Sequence, residues 1–353
     1  MVLEGTENVT VALAPSAEAC SVTVGVKAVP ETEMAAIVGS PVDGNFGNIL
    51  GYLDDGAMMN LGSKIDRPSM KAGYMKLFEL VGQMIPDGIP EADLEEMKTL
   101  TTEGINALGD SIAISIGVNG TGTMPFWAKY VFEVEDEKAF KEVLEKELRM
   151  MEDGAFGDLY KGFGMEMNVK INRGAGNYKG VTIDAAKVNF KISDKSMQSQ
   201  MIGKMFGDGL DYSWAFVNNN CVYTIGGDAD KMIRELIDQV KAGGPEKIGA
   251  EMKPAMDAIP ESKQADVVGT FNYVRAINMA MSFMIEGADS ADQVQSQSSI
   301  AFAGRTTEKG KMKLQIVMPK KHLQEIQSAF KKLIPIMEKQ QREQREKQRS
   351  EQS

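Results

Sequence analysis

Residues 212–241 read YSWAFVNNNCVYTIGGDADKMIRELIDQVK. Trp214 and Phe216 alternate with Ala215 and Val217, and past the asparagines Cys221, Tyr223 and Ile225 share one face, the period-two pattern of two half-buried strands. Asparagine tolerates positive φ, so Asn218-Asn219-Asn220 predicts the tip of a tight hairpin. Gly226-Gly227 end the second strand, Asp228 is placed to cap a helix, and Met232, Ile233, Leu236, Ile237 and Val240 recur at helical spacing. The stretch predicts a strand, strand, helix unit.

The pattern recurs twice. In DSIAISIGVNGTGTMPFWAKYVFEVEDEKAFKEVLEKEL, Ile112 to Val118 alternate, NGTG turns the chain, Phe126 to Val134 alternate back, and a helix follows that buries Phe140, Val143, Leu144 and Leu148. In SSIAFAGRTTEKGKMKLQIVMPKKHLQEIQSAFKKL the turn is polar, Met312, Leu314, Ile316 and Met318 share a face, and Leu323, Ile326, Phe330 and Leu333 stripe a helix that Pro319 starts. A strand in GAMMNLGSKID and a helix in RPSMKAGYMKLFELVGQMI precede the first of these. A strand in ADVVGTFNYVRAI and a short helix in NMAMSFMI precede the second. MEMNVKINRGAGNYKGVTIDAAKVNFKI supplies one more hairpin between them.

These spacings predict an α+β fold: antiparallel sheets built from repeated ββα units, in two related halves with helices packed on one sheet face. Residues 1–46 are expected to be strands joining the first half, 47–205 the first half, 206–337 the second, and 338–353 a charged tail, an exposed helix or disordered.

YKGVTI, WAFVNNNCVYTIGG, DADKMIRELIDQV and ADVVGTFNYV together resemble a large group of bacterial exported proteins catalogued only as a domain of unknown function. The likeness is one of layout and covers about residues 47 to 335. It implies export, periplasmic or extracellular, and brings no catalytic residues to transfer. MVLEGTENVTVALAPSAEAC has acidic residues where a signal peptide needs basic ones, so the expectation is an exported protein whose signal was removed, with a cytosolic protein as the alternative.

Of 353 residues, 43% are apolar and 25% charged, enough for a large core. No run of about 18 apolar residues occurs, so no transmembrane segment is expected. The net charge of −11 argues against nucleic acid as a partner. The charge is uneven: Gly304 to Ser353 hold 13 Lys/Arg against 6 Asp/Glu. Arg305, Lys309, Lys311, Lys313, Lys320 and Lys321 are therefore candidates to contact an anionic surface, reinforced by the tail.

Nucleophilic catalysis lacks its parts, because His322 is the single histidine and no Gly-x-Ser-x-Gly elbow exists. Standing among Lys320, Lys321 and Gln324, His322 is expected to be a solvated helix residue. Cys20 and Cys221 match no metal or redox spacing and read as small buried side chains, with a disulfide open if the chain is exported. NGTGTM, RGAGNYKG and MIGKMFGDG miss the phosphate-loop patterns and read as turns. No cofactor is implied.

Methionine is abundant at 25, and Met197, Met201 and Met205 would form one stripe if helical. Thioethers bind Cu(I), but a methionine stripe is first a flexible apolar surface, suited to varied apolar ligands or peptides. The sequence thus favours a non-enzymatic binding protein for a protein or apolar ligand. The alternatives are a carboxylate-dependent hydrolase of an envelope polymer, a Met-based Cu(I)-handling protein and a structural assembly protein.

Overall fold

The computed structural model describes residues 5–43, 46, 48–84, 90–118, 126–152, 157, 161, 165–192, 209–244, 248–259, 261–284 and 295–351. In chain order the elements are β1 (Thr6–Pro15), β2 (Ala19–Ala28), α1 (Glu33–Val38), β3 (Met59–Lys64), α2 (Arg67–Met84), α3 (Glu91–Ala107), β4 (Leu108–Val118), β5 (Phe126–Val134) and α4 (Glu137–Met150). There follow β6 (Met165–Tyr178), β7 (Val181–Ile192), β8 (Gly209–Val217), β9 (Asn220–Gly226), α5 (Ala229–Lys241), α6 (Met252–Asp257), β10 (Val267–Phe271), α7 (Tyr273–Met284), β11 (Ile300–Glu308), β12 (Lys311–Pro319) and α8 (Lys320–Glu351). The chain is α+β.

Among the described residues twelve strands join one sheet, in the order β1-β2-β12-β11-β10-β3-β4-β5-β9-β8-β7-β6. Every pairing is antiparallel. The N-terminal hairpin, expected beside residues 47–205, hydrogen-bonds to β12 instead, with Val22, Val24 and Val26 opposite Ile316, Leu314 and Met312.

Local chemistry explains the turns. Asn218 and Asn219 both have positive φ, 50° and 58°, and form the two-residue turn of the β8–β9 hairpin. Lys179 and Gly180 do the same between β6 and β7. The NGTG turn lies outside the described residues. Helix starts follow equally local rules: the Asp136 side chain accepts from the Ala139 N–H at 3.0 Å and Asp228 from Lys231 at 3.1 Å.

Two boundaries differ from expectation. YVRA, expected to prolong β10, belongs to α7, because Asn272 caps there and its Oδ1 accepts from the Arg275 N–H at 3.0 Å. Helix α3 was not foreseen, its apolar residues being diluted by acids and threonines; Met97, Leu100, Ile105 and Ala107 are nonetheless buried.

Helices cover both sheet faces, not one. Val131, Ala113, Ala215 and Val222 pack with Ile233, Leu236, Ile237 and Val240 of α5. The opposite face packs Ile112, Trp214, Cys221 and Tyr223 with Phe140, Leu144 and Leu148 of α4. Each strand's alternation therefore feeds two cores, since successive side chains point to opposite faces. Helices α2 and α3 stack beside α4 through Phe78, Met97, Leu100 and Met150, and α7 packs on α8 through Val274, Ile277, Met281, Ala329 and Leu333.

Candidate functional site: an aromatic cavity under three helices

Where α2, α3 and α4 lean over the sheet they leave a cavity of about 310 Å³. Its floor is a register row, Ile114 of β4 opposite Tyr130 of β5, and Tyr130 opposite Tyr223 of β9. The rings of Tyr130 and Tyr223 lie 5.6 Å apart, Tyr130 and Phe132 are stacked at 5.6 Å, and Phe132 meets Phe140 of α4 at 5.5 Å. Met70 and Tyr74 of α2 and Thr101 and Gly104 of α3 complete the walls. Gly104 lets the helices approach closely, since a Cβ there would stand 3.3 Å from Val143 Cγ1.

Among the described residues, Glu147 of α4 is the single charged one lining this cavity. Its side chain is open to water on the outside, while the apolar surroundings, which disfavour its charged form, push its carboxyl up to about 7. It makes no hydrogen bond or ion pair among the described residues. Burial also raises the phenols of Tyr74, Tyr130 and Tyr223, so the three stay neutral near pH 7. Sequence reasoning passed Glu147 over. The signal was present: counting from Phe140, the apolar positions i, i+3, i+4, i+7 and i+8 are Phe140, Val143, Leu144, Glu147 and Leu148, so an acid stands on the apolar stripe.

His322 is corrected. It is fully buried rather than solvated. Its Nε2 accepts from the Tyr273 N–H at 3.3 Å, so the proton sits on Nδ1, which faces Glu325 Oε2 and Ser298 Oγ at 3.5 Å each. Ser298 donates to Glu325 at 2.7 Å. Ser, His and Glu are thus together without forming a triad: serine and carboxylate share one imidazole nitrogen, and a backbone N–H occupies the other. The cluster continues through Asn272, which donates to Ser296 Oγ at 2.9 Å and the Ser298 carbonyl at 3.0 Å. Ser299 donates to Glu251, and Arg275 binds Glu251 at 2.9 Å and the Ala57 carbonyl at 2.6 Å. Every member has a partner.

Other shielded carboxylates are engaged as well. Glu145 takes Arg173 and is held below the usual carboxylate range by it. Asp184 takes Lys141 at 2.6 Å and the Gly174 N–H at 2.7 Å, and Asp54 takes Lys129 at 2.5 Å.

The asparagine tip lines a different cleft, of about 580 Å³, with Lys64, Asp110 and Glu133. Its own groups are tied down: the Asn219 carbonyl accepts from the Val134 N–H at 2.8 Å, and Asn220 Nδ2 donates to the Asn218 carbonyl at 2.8 Å.

The basic candidates do not gather at one place. Lys309 and Lys311 stand at the tip of the β11–β12 hairpin, whereas Lys320 and Lys321 follow the far end of β12, about 30 Å along the strand. Lys311 pairs with Glu308 at 3.3 Å and Lys313 with Glu261 at 2.8 Å, while Arg305 donates to Gln264 at 2.5 Å. Lys321 reaches Gln297 at 3.1 Å. Met197, Met201 and Met205 lie outside the described residues.

Among those residues no group of three or more His, Cys, Asp or Glu is placed to hold a metal ion. Cys20 and Cys221 are free thiols; seven strand spacings separate β2 from β9, about 30 Å, which forbids a bridge. No helix among the described residues is long and apolar enough to cross a membrane, a statement about helices alone.

Comparison with known proteins leaves this geometry to speak for itself: no family model matches the chain, and no curated protein or solved structure matches it.

Proposed function

We propose that the protein is a non-enzymatic binding protein that takes an apolar ligand into the cavity under α2, α3 and α4. The observation that carries this is the aromatic wall of Tyr74, Tyr130, Phe132, Phe140 and Tyr223 around about 310 Å³, the small end of the range typical of ligand pockets, roughly 300–1,000 Å³. The saturated Ser298, His322 and Glu325 support a binding role over hydrolysis, since each group is already spent on its neighbours. In this reading the protein works in the envelope or outside the cell, as the family resemblance implies.

The reading extends to the architecture. β3 and β10 are neighbours at the sheet centre, each followed by helix and then hairpin, β4–β5 and β11–β12. The outer hairpins are exchanged: β2 lies beside β12 and β9 beside β5. Two related ββα-β-α-ββα halves, with β6–β7 between them, account for this order.

The cavity is tested by filling it. Thr101→Trp should weaken displaceable binding of the fluorescent apolar probe N-phenyl-1-naphthylamine at least about tenfold while leaving the circular dichroism spectrum unchanged. Equal binding by both proteins, or substrate turnover in an unbiased hydrolase screen, would sink the reading.

A further inference from the structure

We propose that the ligand carries a cationic head, an organic ammonium group, which Glu147 and the tyrosine rings receive at the cavity mouth while the apolar body lies on the floor of Ile114, Tyr130 and Tyr223. This rests on the cavity reading above and names the chemistry of its occupant.

Three observations converge. First, four shielded carboxylates of this chain pair with cations, Glu145 with Arg173, Asp184 with Lys141, Asp54 with Lys129 and Glu251 with Arg275, whereas Glu147 stands at the cavity edge, open to water on its outer side. Among the described residues Glu147 has no such cation, and no other charged side chain lines the cavity. Set beside apolar and aromatic walls with no internal partner among the described residues, this carboxylate keeps its hydrogen-bonding and charge-pairing capacity for a cation arriving from outside. Second, that carboxylate sits among tyrosines. Tyr74, Tyr130 and Tyr223 line the same cavity as Glu147, and Tyr130 lies 5.6 Å from Tyr223. Aromatic faces carry negative potential and attract ammonium ions, most strongly where water is excluded. Third, the other polar walls, Thr101 and three neutral phenols, supply no cation for an anionic head. An acid-headed chain would meet Glu147 as a like charge. A neutral one would shield the carboxylate further without replacing its water.

The occupant is therefore amphiphilic: a short apolar body matched to the cavity and a single positive end. The raised carboxyl of Glu147 fits this, since a group held partly protonated by its surroundings ionises when a cation arrives.

The test compares three ten-carbon probes below their micellar concentrations, decyltrimethylammonium, decanol and decanoate, as competitors of N-phenyl-1-naphthylamine on the full chain. The ammonium compound should displace the dye at about tenfold lower concentration than decanol, with decanoate weakest. Glu147→Gln should narrow the gap between ammonium and alcohol to less than about twofold. Alcohol and ammonium competing equally on the wild type overturns the cationic head but leaves the apolar cavity standing. A Glu147→Gln protein that keeps the full ammonium preference also overturns it. If none of the three displaces the dye, and Thr101→Trp leaves dye binding unaltered, the cavity reading falls and takes the head-group assignment with it.

Discussion

Glu147 and His322 occupy comparable places, each on the helix that follows a hairpin, α4 after β4–β5 and α8 after β11–β12. Both are ionisable groups shifted by apolar surroundings, the carboxyl of the water-exposed Glu147 upward and the imidazole of the buried His322 downward. They differ in what surrounds them. His322 spends both ring nitrogens inside the chain, and its neighbours Ser298, Glu325 and Asn272 are equally spent. Glu147 faces an aromatic cavity with its hydrogen-bonding capacity unused among the described residues. A buried polar group that is fully paired fixes the fold, whereas one left open has capacity for something else. The more catalytic-looking set of residues is thus the structural one.

The largest effect should come from removing the saturated partner. His322→Ala leaves the Tyr273 N–H without its acceptor and a void between α7, α8 and the 296–299 segment, so urea unfolding should show a loss of about 2–4 kcal/mol. Glu147→Leu should leave stability unchanged or raised in the same assay at pH 8, because it removes an unpaired carboxylate from an apolar wall. If His322→Ala costs less than Glu147→Leu, the contrast collapses.

Next in size is the pH response, in which the two groups oppose each other. The folded His322 has a lowered pKa, so below about 6.5 the unfolded chain binds more protons, and stability should fall as pH drops from there toward the folded value. The folded Glu147 sits at about 7 against 4.5, so the folded chain binds more protons between these values, and stability should fall as pH rises through that window and level off above it. Urea midpoints against pH should therefore lose their acid limb in His322→Gln and their decline above pH 4.5 in Glu147→Gln. Unchanged slopes in both variants would falsify the assignments.

A smaller effect sharpens the comparison at a site where backbone conformation alone decides. Asn219→Gly should be nearly neutral, and Asn219→Val should cost about 1 kcal/mol or more, because φ is 58° there. Thermal melts of the two variants check this, and equal melting temperatures contradict it. The smallest effect belongs to residues 338–353, which contain no apolar residue and of which those through Glu351 form the last turns of α8. Deleting them should leave the melting temperature essentially unchanged, so a loss of several degrees would mean the segment docks.

What was legible in the sequence was local. Alternation along β6 and β7 marked the hairpin of residues 165–192, Asn218-Asn219 marked the turn, and the stripe Met232, Ile233, Leu236, Ile237, Val240 marked α5, because period and turn chemistry are properties of neighbouring residues. The same logic missed α3 and the early start of α7, where dilute patterning and one capping asparagine decided. The acid on the stripe of α4 could be read from sequence, but not what it meets.

Tertiary structure alone decided the strand order, the pairing that sets β2 against β12, the coverage of both sheet faces, the burial of His322 and the company of Glu147. The floor of the cavity joins Ile114, Tyr130 and Tyr223 from strands that are neighbours in space, although Ile114 and Tyr223 stand more than a hundred residues apart in the chain. Whether a polar side chain is spent or open depends on such non-local partners, and no window of sequence contains them. Hydrophobic pattern fixed which side of α4 and α5 turns inward but not of α8, where Leu323 and Phe330 are exposed and His322 and Ala329 buried; the pairing of the strands fixed what each side finds there.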